Sequence, residues 1–231
     1  MLYRTPQTHP RVSPAELAHI EAGQSPAAPR TKGQIAKILR SRAFWAIAIP
    51  RFLAEPAWQT FSFWIPLYLA KERGMDLKQI ALFAWLPFLA ADLGGVLGGY
   101  LSPILMRRFG LKLTASRSAG VVAGAVLMIA PGCIGLASGP YLAIALFCVG
   151  GFAHQMISVL LNTLTADAFP QEALGAANGF VGMAGWTGGL AFTLVIGALA
   201  DTLGYGPLFG CLAVFDLLGA AVLVGLLRRS G

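Results

Sequence analysis

From Ser118 to Ala166 the chain carries no Asp, Glu, Lys or Arg. Ser138-Gly139-Pro140 is the one break in that run, which is long enough for two bilayer crossings at about 20 residues each. Inside hydrocarbon, backbone N–H and C=O groups have to be satisfied within the segment, so such crossings are helices. Charged residues make up only 12% of the 231 positions, about half of the roughly 25% found in soluble domains. An ordinary cytosolic enzyme and a disordered chain are both excluded. The expected class is an all-α, multi-span membrane protein.

Six apolar segments are predicted to cross, at about 43–70, 79–106, 114–136, 140–164, 173–200 and 207–227. They are preceded by a polar arm, 1–42, and followed by a short tail, 228–231. In the arm, Ser13-Pro14-Ala15-Glu16 is a capping box with Pro at the first helical position, which predicts a short helix to about Glu21. Gly23-Gln24-Ser25-Pro26 then ends it, and the stretch to Arg30 reads as flexible linker. The arm contains seven basic residues and lacks the apolar core of a signal sequence.

The net charge is +7. In a soluble protein that excess would point to nucleic acid. Here the cations sit in connections, so membrane orientation explains them and no nucleic-acid partner is expected. Arg4, Arg11, Arg30, Lys32, Lys37, Arg40 and Arg42 in the arm, Arg107, Arg108 and Lys112 after the second segment, and Arg228 and Arg229 in the tail share one side of a six-crossing chain. That side should be the cytoplasm, which places both termini inside. On the opposite side, Lys71, Arg73 and Lys78 are balanced by Glu72 and Asp76.

Glycines at Gly94/Gly98, Gly95/Gly99, Gly120/Gly124, Gly175/Gly179 and Gly185/Gly189 form small-x-x-x-small pairs that let helix backbones approach closely in lipid. Cys133, Cys148 and Cys211 lie in apolar segments without a C-x-x-C pair, so they are expected to pack rather than to hold metal or a disulfide. No hydrolase, zinc or phosphate-loop motif is present, and no cofactor or enzymatic activity is expected.

Ionisable groups inside a span each cost at least ~2.5–3.5 kcal/mol on insertion scales and demand a reason. Arg51 and Glu55 are four apart on one helix face and can pair, with Trp58, Gln59 and Ser62 continuing that side. One reading is a wet cavity; the other is an arginine that snorkels to the interface with Glu55 neutralising it. The fourth segment places His154, Ser158, Asn162 and Thr165 on a broad face beside Gln155. The fifth carries Asn178 and Trp186, the latter equally suited to packing. Asp92 and Asp216 are single acids, open to structural or coupling roles.

Gly98-Gly99-Tyr100-Leu101-Ser102-Pro103 followed by Arg107-Arg108-Phe109-Gly110-Leu111-Lys112 resembles the signature loop of the major facilitator superfamily in its second half, between helices eight and nine. Ser102 and Pro103 stand in the region of that loop's usual acid. Arg51-Phe-Leu-Ala-Glu55-Pro-Ala-Trp58-Gln59-Thr-Phe and Phe63-Trp64-Ile65-Pro66 are similar to helix seven of the anion:cation symporter family, most of all its bacterial hexuronate transporters. Phe83-Ala84-Trp85-Leu86-Pro87, Gly150-Gly151-Phe152-Ala153-His154-Gln155, Ala177-Asn178-Gly179 and Gly197-Ala198-Leu199-Ala200-Asp201-Thr202 extend the resemblance from Tyr3 to about Leu227.

The resemblance implies a twelve-helix fold of two six-helix bundles with substrate between them at mid-membrane. This chain then corresponds to the carboxy-terminal bundle, with the arm as the central cytoplasmic loop. It also implies proton-coupled hexuronate uptake across the inner membrane, with an amino-terminal six-helix half as partner and activity lost without it. A hexuronate needs a cation for its carboxylate, amides for its hydroxyls and an aromatic face for its ring. Arg51 suits the first role, Gln59, Gln155, Asn162 and Asn178 the second, Trp58 and Trp186 the third. His154 suits a hydrogen bond or a titratable proton, and Glu55 holds Arg51 in place or titrates. The competing expectations are a truncated gene product and a non-transporting six-helix membrane scaffold.

Overall fold

A computed structural model describes residues 4–22 and 33–228, the last without its side chain. The chain divides into two units, 1–34 and 35–231. In the first, a 3₁₀ turn at Pro6–Thr8 precedes α1, Pro14–Ala22. The Ser13 hydroxyl accepts from the Glu16 amide at 3.2 Å, which is the capping contact its motif predicts. Gly23 to Arg30, the expected linker, lies outside the described residues.

Among the described residues after the first unit every regular element is a helix: α2 Gln34–Arg40, α3 Arg42–Lys71, α4 Leu77–Phe83, α5 Leu86–Phe109, α6 Leu113–Leu127, α7 Ile129–Gly132, a 3₁₀ turn at Ile134–Leu136, α8 Pro140–Ala168, α9 Gln171–Leu203 and α10 Tyr205–Arg228. Local chemistry sets the boundaries. The Ser41 hydroxyl caps α3 by accepting from the Phe44 amide at 3.1 Å. Asp76 and Gln79 close a reciprocal capping box on α4. Gly110, in the left-handed region at φ 65°, ends α5 where a side chain would be strained. Pro140 opens α8 at a position that needs no amide donor.

Five stretches are long and apolar enough to cross a membrane: Leu77–Phe109, Leu113–Leu136, Pro140–Ala168, Gln171–Leu203 and Tyr205–Leu227. The protein is accordingly a multi-pass membrane protein. The remaining expected span, 43–70, folds as α3. At 30 residues it is about 45 Å long, ample for a bilayer. Its composition falls short because Arg51, Glu55, Gln59 and the interior prolines Pro50, Pro56 and Pro66 dilute its apolar residues.

α8 is the most enclosed span and packs between α5, α6 and α3, while α3 packs on α9 and α10. Close approach is licensed by glycine. A β-carbon on Gly94 would land on the Phe152 carbonyl, and one on Gly151 would land on the Pro87 carbonyl, so α5 and α8 interlock from both sides. Gly98, Gly120, Gly124, Gly185 and Gly189 likewise face neighbouring helices, whereas Gly99, Gly175 and Gly179 face open space.

At the end of the bundle holding the α3–α4 turn, Arg73 acts as a clamp. Its Nε donates to the Tyr68 hydroxyl at 2.7 Å, Nη1 to the Ala137 carbonyl at 2.8 Å and Nη2 to the Ile134 carbonyl at 2.9 Å. Two of these acceptors lie in the connection before α8, where Ile134 opens a 3₁₀ turn and its carbonyl also accepts from the Ala137 amide at 3.0 Å. Charge-assisted bonds of this kind contribute about 1.5–3 kcal/mol each to a buried acceptor. Arg73→Ala is expected to destabilise the folded chain by about 2 kcal/mol, read as an earlier loss of helicity on heating in detergent. An unchanged melting curve would show the clamp to be idle.

Candidate functional site

Arg51 lies one residue after Pro50 on α3, a helix in which Pro50, Pro56 and Pro66 each lack a backbone donor. Its side chain is 15% exposed. Nη2 meets Glu55 Oε2 at 3.1 Å, the i,i+4 pairing expected from spacing. Nη1 donates to the Ser158 hydroxyl on α8 at 2.5 Å. The guanidinium therefore ties two helices together, and with five N–H donors available it retains others for a ligand. Glu55 is 3% exposed, so its charge needs the guanidinium as partner.

α9 closes over the pair with its glycine face. A β-carbon on Gly185 would sit 3.0 Å from Arg51 Cγ, and one on Gly189 would sit 2.5 Å from Gln59 Cγ. One turn along α3, Trp58 stacks on His154 of α8, with ring centroids 5.6 Å apart and 17° between planes. Phe88 of α5 meets the indole edge-on, with ring centroids 5.7 Å apart. His154 is buried, and its Nδ1 has no hydrogen-bond partner among the described residues. A buried polar atom in this position is costly unless something supplies a bond.

The structure thus brings Arg51, Glu55, Trp58, Gln59 and His154 into one cluster on α3 and α8, under α9. Gln155 turns toward α5, with its Cγ 3.2 Å from the place of a Gly95 β-carbon. Asn162, Asn178 and Trp186 are exposed and make no side-chain hydrogen bond among the described residues. Trp186, 63% exposed, emerges beside Met183 and Leu190 on the open side of α9 rather than on its glycine face. Ser158 and Phe88 join the cluster without having been singled out as ligands. Ser158 was visible one turn beyond His154, but Phe88 carried no signal, being an apolar residue among many. Asp92 is exposed on α5; Asp216 of α10 is 3% exposed, and neither of its carboxylate oxygens has a hydrogen-bond partner among the described residues. Among the described residues no three His, Cys, Asp or Glu side chains gather as a metal site would require.

A guanidinium, an amide and a stacked indole–imidazole pair thus lie together inside a bundle of helices long enough to cross a membrane. No protein-family model matches the chain. Among characterised proteins, the hexuronate transporter of Escherichia coli K12 is 51% identical over 233 aligned positions, covering the whole of this chain and 54% of that protein. The galacturonate transporter of Dickeya chrysanthemi is 49% identical over 146 positions, covering 62% of this chain and 42% of that protein. A probable galactarate/D-glucarate transporter of Bacillus subtilis is 28% identical over 97% of this chain and 52% of its own. This chain is a relative of the hexuronate transporters along its full length, and its relatives are transporters by name, not enzymes. It spans about half the length of the curated relatives it matches, falling on the carboxy-terminal half of the hexuronate transporter.

Proposed function

We propose that the chain supplies the carboxy-terminal six-helix bundle, 43–227, of a proton-coupled hexuronate symporter of the inner membrane. α3 is its first crossing, 1–42 its central cytoplasmic loop and 228–231 its cytoplasmic tail, so both termini face the cytoplasm. The single observation that carries this reading is Arg51. A guanidinium on a membrane helix, held by Glu55 and Ser158 with donors to spare, is what a sugar carboxylate requires. Trp58, stacked and fixed by His154, offers an apolar face to a pyranose ring, and Gln59 offers an amide beside it.

Glu55 orients the guanidinium, in the way a second carboxylate commonly positions a ligand-binding cation. Gln155, Asn162, Asn178 and Trp186 complete the binding surface once the amino-terminal half is opposed. That half docks against the exposed side of α9, where Gly175, Gly179, Met183 and Trp186 lack neighbours. His154 and Asp216 are the buried groups available to carry a proton within this bundle.

The experiment is uptake of labelled glucuronate and galacturonate into vesicles holding this chain, alone and together with the amino-terminal six helices of a hexuronate transporter. Saturable uptake that responds to an imposed proton gradient is expected only when both halves are present. Uptake by the chain alone, or none with a folded pair, would contradict the proposal.

A further inference from the structure

A cleft of about 680 Å³ on the α6–α10 side of the bundle has no assigned role; its size lies within the roughly 300–1,000 Å³ typical of ligand pockets. Its floor is Ile47 of α3 and Leu164 of α8, both buried. Ala119 and Val122 of α6 form one wall, and Val224 and Leu227 of α10 the other. None of these residues belongs to the Arg51 cluster.

The mouth is polar and positively biased. Lys112 stands at the turn that starts α6, with Thr114 on the first helical turn. Asp167 also borders the cleft, but its carboxylate is already held by Arg117, at 2.6 Å to Nε and 3.2 Å to Nη2. Lys112 enters no ion pair among the described residues, and Arg107 and Arg108 are exposed just before it. An unneutralised ammonium therefore caps an apolar trough. Leu113 begins the span, and Val122 lies about 14 Å further along the axis at 1.5 Å per residue. Lys112 is thus at headgroup depth, and the trough runs into the acyl region beneath it.

We infer that this cleft holds one anionic phospholipid, its phosphate on Lys112 and an acyl chain between α6 and α10. Water cannot fill an apolar trough profitably, and a membrane supplies acyl chains at every such opening. Basic pockets between spanning helices select acidic headgroups by the same electrostatics. The inference depends only on the bundle being in a membrane, not on what it transports. Lipid seated there would fill the gap between α10 and α6.

The test is native mass spectrometry of the full chain released from detergent, titrated with phosphatidylglycerol or phosphatidylcholine of identical acyl chains. The wild type should retain one phosphatidylglycerol in preference to phosphatidylcholine. Lys112→Gln should weaken that retention about fivefold, the equivalent of one surface cation at about 1 kcal/mol, and leave phosphatidylcholine unaffected. Ala119→Trp, which occupies the trough, should weaken both lipids. Lys112 is exposed and its replacement leaves the packing intact, so that variant decides the matter even if Ala119→Trp fails to fold. Equal retention of the two lipids, indifference to Lys112→Gln, or a second copy of the chain bound in place of lipid would each overturn the assignment.

Discussion

Arg51→Ala, in this chain paired with an amino-terminal half, is expected to abolish hexuronate uptake while the protein still reaches the membrane. Two losses combine. The substrate carboxylate loses a charge-assisted donor, and Glu55 loses the cation that justifies its burial. Stripping one member from a buried pair costs about 3–5 kcal/mol of stability, and the lost charge-assisted contact of about 1.5–3 kcal/mol corresponds to roughly ten- to a hundredfold in binding. The two losses separate through the double variant Arg51→Ala/Glu55→Gln. Removing the stranded charge should restore the melting temperature without restoring uptake. If the double variant transports, the guanidinium was needed only to neutralise Glu55. Arg51→Lys keeps the charge but gives up the planar fork that reaches Glu55 and Ser158 together, and should fall between wild type and Arg51→Ala.

The second large effect concerns the α5–α8 seam. Gly151→Ala is expected to prevent stable packing, because its β-carbon would land on the Pro87 backbone carbonyl, which has no rotamer by which to yield. Overpacking of this kind costs about 1–3 kcal/mol where side chains can adjust, and more where backbone is the obstacle. Gly99→Ala, on α5 across the same seam but facing open space, should melt like the wild type. Size-exclusion profiles and thermal melts of the two variants in detergent provide the comparison. Equal behaviour of Gly151→Ala and Gly99→Ala would mean that the seam is looser than its geometry states.

That contrast also shows where sequence becomes insufficient. Small-x-x-x-small spacing singled out Gly94 and Gly98, Gly120 and Gly124, Gly185 and Gly189, and all six pack against other helices. The same spacing singled out Gly99, Gly175 and Gly179, which meet nothing in this bundle. Spacing names a helix face but not what lies opposite it. The same holds in the cluster around Arg51. Its pairing with Glu55 was legible because i and i+4 share a face of one helix, whatever the tertiary arrangement. The hydrogen bond to Ser158, 107 residues away, and the stacking of Trp58 on His154 depend on how α3 crosses α8. Trp186 illustrates the limit at a single step. It follows Gly185, which touches Arg51, yet the 100° turn per residue carries its side chain to the open side of α9. The α3 helix itself was readable from length, whereas its polar content keeps it below the composition of the other five spans.

The central claim is that Arg51 receives the carboxylate of an acidic sugar, and the sharpest measurement compares glucuronate with its uncharged methyl ester as competitors of labelled glucuronate uptake. With wild-type chain and partner half, the acid should compete roughly ten- to a hundredfold better than the ester, the value of one charge-assisted contact at about 1.5–3 kcal/mol. With Arg51→Gln, which keeps a polar donor but removes the charge, the two should compete alike. An acid-over-ester preference that survives Arg51→Gln unchanged would place the carboxylate elsewhere and contradict the account.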